Sequence, residues 1–130
     1  MRPQDWPERL AEFVEANRDR PFAWGTWDCA MCASAWIETL TGAAPFAPTY
    51  ADALSAVRFV EQQGGMRPAA SAVLGAPLLF PMGAQRGDIA LVNIDGRECL
   101  GVVLGERVAG PGEHGLIQVP RSGIVAAWAV

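Results

Sequence analysis

The sequence predicts an α+β domain, with N-terminal helices packed on a C-terminal antiparallel β-sheet. Three observations carry this expectation. Apolar residues recur at three- and four-residue spacing through about the first 75 positions, the pattern changes after Gly87 to short apolar runs, and turn signals separate those runs. The chain has 130 residues, of which 51% are hydrophobic, enough for one core and one domain spanning residues 1–130. The helical part is expected over about 1–75 and the sheet over about 86–130.

Leu10, Phe13 and Val14 follow Trp6-Pro7 at helical spacing among charged residues, so a first helix runs to the polar stretch Asn17–Arg20. A second helix opens at Thr26–Asp28, places Ala33, Trp36, Ile37 and Leu40 on one face, and closes at Gly42. Thr49-Tyr50-Ala51-Asp52 reads as a capping box for a third helix with Leu54, Val57 and Val60 inward and Gly64-Gly65 as its stop. Residues 68–75 add a short helical turn. Ile89–Ile94 is a strand, Asp95-Gly96 a hairpin turn and Cys99–Leu104 the returning strand. Gly105–Gly115 reads as a glycine-rich connection, with further strands at Leu116–Val119 and Ile124–Val130.

Composition removes several function classes. The net charge is −4 and the ten basic residues, all arginine, form no run, which argues against nucleic-acid partners. No stretch approaches the roughly 18 apolar residues of a spanning helix, so membrane insertion is not expected. The opening Met-Arg-Pro-Gln-Asp-Trp lacks the apolar segment of a secretory signal, which predicts a protein cytoplasmic when synthesised. No phosphate-cradling loop and no close carboxylate pair of glycosidase type is present. Three cysteines, an odd number, leave at least one free thiol and direct attention to cysteine chemistry.

The segment Phe22-Ala-Trp24-Gly-Thr-Trp27-Asp28-Cys29-Ala-Met-Cys32 places a thiol in the first turn of a helix. Unpaired backbone N–H groups and the helix dipole there favour thiolate, which makes Cys29 a nucleophile candidate. Against this stands the ordinary fate of a free cysteine as a small buried hydrophobe. Asp28 reads as an N-cap, and Trp24 or Trp27 as the wall of a binding cleft beside Cys29. Trp36 and Trp128 read as core.

This segment resembles the nucleophile segment of NlpC-type cysteine peptidases, papain-like enzymes that cut peptidoglycan stem peptides. Trp24, Gly25, Asp28 and Cys29 match it, and Gly87-Asp88-Ile89 matches the family's Gly-Asp strand start. The chain is closer still to a group of such domains from phage and prophage tail modules, through Trp6-Pro7-Glu8-Arg9-Leu10 and Ala127-Trp128-Ala129-Val130. The resemblance implies a papain-like NlpC-type fold and a phage tail component whose partners are other tail proteins or peptidoglycan, with no cofactor. It also implies a chain carried to its place in the virion tail or particle. Where the family has its catalytic histidine this chain has Cys99, and where a polar residue would orient that histidine it has Ala109. A thiol cannot bridge two partners as imidazole does. The resemblance therefore implies a degenerate peptidase serving a structural or cell-wall-facing role.

The alternative is an active cysteine peptidase or amidase with Cys29 as nucleophile and His114, the single histidine, as base from the loop Gly110–Gly115. Flanking glycines would let that loop fold over the site. Cys29-x-x-Cys32 also has thioredoxin-like spacing, but it does not follow a strand. Cys29, Cys32, Cys99 and His114 formally make a Cys3His zinc set, at spacings that do not signal one, so no metal is expected.

Overall fold

The computed structural model describes residues 2–46 and 50–130. It is an α+β structure in which four helices precede a five-stranded antiparallel sheet: α1 (Trp6–Asn17), α2 (Cys29–Thr41), α3 (Ala53–Gln62), α4 (Met66–Leu74), then β1 (Ile89–Ile94), β2 (Arg97–Val103), β3 (Arg107–Gly112), β4 (Gly115–Pro120) and β5 (Ile124–Trp128). The strand order is β4-β3-β2-β1-β5. Among the described residues no helix is long and apolar enough to cross a membrane.

Alternation along β1 sends its side chains into two apolar clusters. Ile89 and Leu91 join Leu100, Val102, Ala126 and Trp128 beneath the inward faces of α1 and α2. Ala90 and Val92 pack on the opposite side with Val103, Val108, Ile124 and Ala127. Trp36 anchors α2 to the sheet, because its buried Nε1 donates to the Gly87 carbonyl at 2.8 Å. Gly87 has φ +88°, a conformation that favours glycine. Asp88 beside it accepts from Arg2 at 2.6 Å, from the Gln85 N–H at 2.9 Å and from the Val130 N–H at 3.3 Å. The Gly-Asp pair thus ties both ends of the chain to the start of β1.

Three sequence expectations change. The capping box lies at Asp52 and Ser55, whose carboxylate and hydroxyl satisfy each other's backbone N–H groups, while Thr49 lies outside the described residues. Leu54 and Val57 are 60% and 51% exposed instead of inward, and Ala56 is the buried residue of α3. The apolar periodicity of α3 is real, but the helix stands away from the sheet and presents Val57 and Val60 to a cleft. The connection expected over Gly105–Gly115 contains β3. Arg107–Gly112 pairs along its full length with β4, and Pro111 lies past the last β2 pair, so its missing N–H leaves the β2 ladder intact.

Candidate functional site

The segment before α2 folds back on itself through an Ala23–Trp27 bridge, with Gly25 at φ +80° in the turn. Asp28 holds this turn and the helix together. One carboxylate oxygen accepts from the Gly25 N–H and the other from the Met31 N–H, both at 2.9 Å. The second bond is a true N-cap, and it fixes Cys29 as the first residue of α2. Trp27 and Asp28 are each only 1% exposed. Trp24, 38% exposed, turns outward and packs edge-on against Phe22 with 4.7 Å between ring centroids.

Cys29 interacts thiol to thiol with Cys99 on β2, and the backbone of Leu100 also hydrogen-bonds its sulfur. Both cysteines are free and partly exposed, whereas Cys32 is buried. The Cys29 thiol is held well above its ordinary range, first by the hydrogen bond with Cys99 and then by burial, which together outweigh the Leu100 bond. The same thiol–thiol bond is the main reason that Cys99 is pushed down to about 6. Partial burial opposes the shift there, and the charge of Arg97 assists it. The two thiols therefore titrate together, with the proton favoured on Cys29. Burial pushes the Cys32 thiol up to about 12. Tyr50 donates its hydroxyl to Asp28, and its phenol is pushed up by burial first and by that carboxylate second.

The cleft around this pair exists because β2 and β3 part company. They pair only through Val102–Ala109 and Val103–Val108. Gly101 permits the close crossing at that point, since a Cβ there would stand 2.6 Å from a Val108 methyl and 2.8 Å from the Ala109 carbonyl. Below the crossing, Cys99 is left without a β3 partner, and the space between β2, the β3–β4 hairpin and helices α3 and α4 forms a cleft of about 940 Å³. Its walls are largely apolar and include Phe22, Trp24, Phe46, Tyr50 and Phe59, with Arg97, Glu98 and Glu113 among its charged groups.

A domain of unknown function, DUF6950, is a family whose profile matches residues 1–130. The chain belongs to the DUF6950 family. No curated protein matches it.

In this DUF6950 domain the residues singled out from sequence fall into two groups. Cys29, Cys99, Trp24, Asp28 and Ala109 all border one cleft. Trp27 does not reach it; the indole is in the core, stacked under the Arg20 guanidinium at 4.2 Å, so a binding-wall role is withdrawn. Asp28 spends both carboxylate oxygens on backbone and Tyr50 contacts, and acts by positioning Cys29. The lowered thiol expected at Cys29 is reversed, because the facing residue is an acceptor thiol rather than a cation.

His114 is exposed and is not among the side chains lining the cleft, although Glu113 is. It sits in the two-residue turn between Gly112 and Gly115, and that turn is clamped. The Gly112 carbonyl accepts from the Phe22 N–H at 2.9 Å, and the Leu116 N–H donates to the Arg18 carbonyl at 2.9 Å. Gly115 lies so close to the Arg18 carbonyl that a Cβ has no room. The glycines serve close packing, not closure over Cys29. Of the zinc candidates Cys29 and Cys99 meet while His114 is exposed outside the cleft lining, and among the described residues no three histidine, cysteine or acidic side chains gather as a metal cluster. Tyr50 and the aromatic wall of Phe22, Phe46 and Phe59 were not legible as site residues. Their only signal is aromatic density on either side of the Cys29 segment.

Proposed function

We propose that this DUF6950 domain is an NlpC-type, papain-like domain of a phage or prophage tail, and that its peptidase site is degenerate and serves binding. The observation that carries the reading is the Cys29–Cys99 pair. A helix opens on a cysteine capped by Asp28, packs on the sheet, and meets a thiol on β2 at the place where the resemblance calls for imidazole. A thiol cannot take a proton at one nitrogen while being oriented through another, and Ala109 offers no polar group to orient anything. Hydrolysis needs a general base within reach of the nucleophile, and the one histidine is exposed on a clamped turn outside the cleft lining. Loss of the base from such a unit removes about a thousandfold or more of the rate.

A largely apolar cleft with aromatic walls, and with Arg97 and several carboxylates in its lining, suits a peptide segment better than a glycan strand. The ligand on this reading is a stem peptide of the cell wall or an extended segment of a neighbouring tail protein. The test uses reduced protein and purified sacculi. Co-sedimentation that weakens on Trp24→Ala, without release of new amino termini, is the expected result. Release of amino termini that disappears in Cys29→Ser overturns the degenerate reading in favour of an active peptidase. Absence of sacculus binding overturns the cell-wall role and leaves the tail-protein role, read by cross-linking within purified particles.

A further inference from the structure

Cys29 and Cys99 are two thiols in one open cleft, chemically unequal and with no imidazole lining it. Asp28 fixes Cys29 at the first position of α2, and the Leu100 backbone draws its sulfur toward β2 next to Cys99. Cys99 is paired with Val92 of β1 but lies on the part of β2 that β3 does not pair, so an adjustment at Cys99 leaves the β2–β3 crossing intact. A disulfide needs the sulfurs at about 2.05 Å with β-carbons near 3.8 Å, and Cys29 and Cys99 already interact thiol to thiol. We infer that Cys29 and Cys99 are a reversible dithiol site that reduces a hydroperoxide, with Cys99 attacking and Cys29 resolving. This rests on the thiol pair and its cleft, and does not depend on the cell-wall reading.

The Cys99 thiolate attacks the outer oxygen of the hydroperoxide, the O–O bond breaks, and a sulfenic acid forms on Cys99 with an alkoxide or hydroxide leaving. The leaving group takes the proton of the Cys29 thiol and departs as alcohol or water. The Cys29 thiolate then attacks the Cys99 sulfur, the disulfide forms, and hydroxide leaves and is protonated by solvent. Two thiols are oxidised by two electrons and one peroxide is reduced. A small dithiol reverses the bridge by exchange and is itself oxidised to its disulfide.

Cys99 is the less enclosed of the two thiols and has the Arg97 guanidinium beside it, which makes it the attacking member, while Cys29 is held at the head of α2 as its partner, and the directions of their shifts agree with this order. The rate gain from this is small. A lowered thiol raises the thiolate fraction but lowers its nucleophilicity, and the two effects largely cancel. The first step should therefore run at about the rate of a free cysteine peptide. The signature of the site is which sulfur pairs with which. Cys32, one helical turn from Cys29, is the rival, but its thiol is buried and pushed up to about 12.

The experiment treats reduced native protein with hydrogen peroxide as the probe, blocks remaining thiols with N-ethylmaleimide, and maps the peptides by mass spectrometry. The expected product is a Cys29–Cys99 bridge with Cys32 alkylated, reversed by dithiothreitol. Cys29→Ser should leave Cys99 as a sulfenic acid trapped by dimedone, and Cys99→Ser should slow oxidation of Cys29 about tenfold or more. A Cys29–Cys32 bridge, intermolecular disulfides, or sulfenic acid persisting on Cys99 of the native protein overturns the inference. The native protein alone decides the pairing, so a misfolded variant does not blunt the test. Sacculus binding is scored on reduced protein, so either reading can fail while the other stands.

Discussion

Replacing Asp28 with alanine removes an acceptor that two elements share. The side chain is almost wholly buried, and its two oxygens take the Gly25 and Met31 N–H groups at 2.9 Å. Loss of an N-cap costs about 0.5–2 kcal/mol, and a hydrogen bond to a charged acceptor contributes about 1.5–3 kcal/mol. The two bonds are not additive, because the turn relaxes once either is gone, so Asp28→Ala should cost about 3 kcal/mol. At this chain length that lowers the melting temperature by about 10 °C. Asp28→Asn separates the two roles. Its carbonyl oxygen can still cap Met31, but its amide then faces the Gly25 N–H donor to donor, for a cost of about 1–2 kcal/mol. Urea denaturation followed by circular dichroism, with an unchanged m-value, measures both. Alkylation of Cys29 in native buffer should also quicken in Asp28→Ala, since the first turn of α2 frays. A loss below about 1 kcal/mol for alanine, or equal losses for alanine and asparagine, refutes the assignment of Asp28 as the brace of this site.

Trp27→Phe should destabilise less than Trp36→Phe by about 1–2 kcal/mol in the same assay. The buried Trp27 Nε1 has no partner among the described residues, whereas removing the Trp36 indole orphans the Gly87 carbonyl. Arg2→Ala should cost about 3 kcal/mol, since it strands the buried Asp88 carboxylate and releases the Arg86 and Val130 carbonyls. Stability should depend on pH through the thiols. Between about 6 and the ordinary thiol value of about 8.5 the unfolded chain holds more protons than folded Cys99, so stability rises with pH. Above about 8.5 it falls, because folded Cys29 and Cys32 keep protons that the unfolded chain loses. Cys99→Ser should abolish the rise and leave the fall, as read from chemical denaturation across that range. Gly101→Ala should cost about 2 kcal/mol or more and loosen the β2–β3 crossing, detectable as faster amide exchange at Val102 and Val103.

Local signals reached far into this chain because several of its decisive features are local. The N-cap at Asp28, the left-handed stop at Gly42 and the Asp95-Gly96 hairpin each depend on residues within a few positions. The strand β1 and the four-residue reach of the helices carry their periodicity in the sequence itself. Cys29 at the head of α2 follows from the same local chemistry. The strand β3 was hidden because Gly110, Pro111 and Gly112 mimic a loop, and only its partners β2 and β4 make it a strand. The inward face assigned to α3 failed for a related reason: periodicity marks an apolar stripe but not what covers it.

Which groups meet was decided by tertiary structure. The same capped cysteine would be an activated thiolate beside a cation and is a proton donor beside Cys99, because a thiol's pKa follows its neighbour across the fold, not its position along the helix. Glycines that look like hinges around His114 are contact points, since the Arg18 and Phe22 backbones press against them. Trp24 and Trp27, three residues apart and alike in sequence, part into cleft and core because the turn held by Asp28 rotates one outward and buries the other. Helix caps and strand alternation are set by bonds between near neighbours. A site assembled from α2, β2 and α3 is set by bonds between distant ones, and these exist only once the chain has packed.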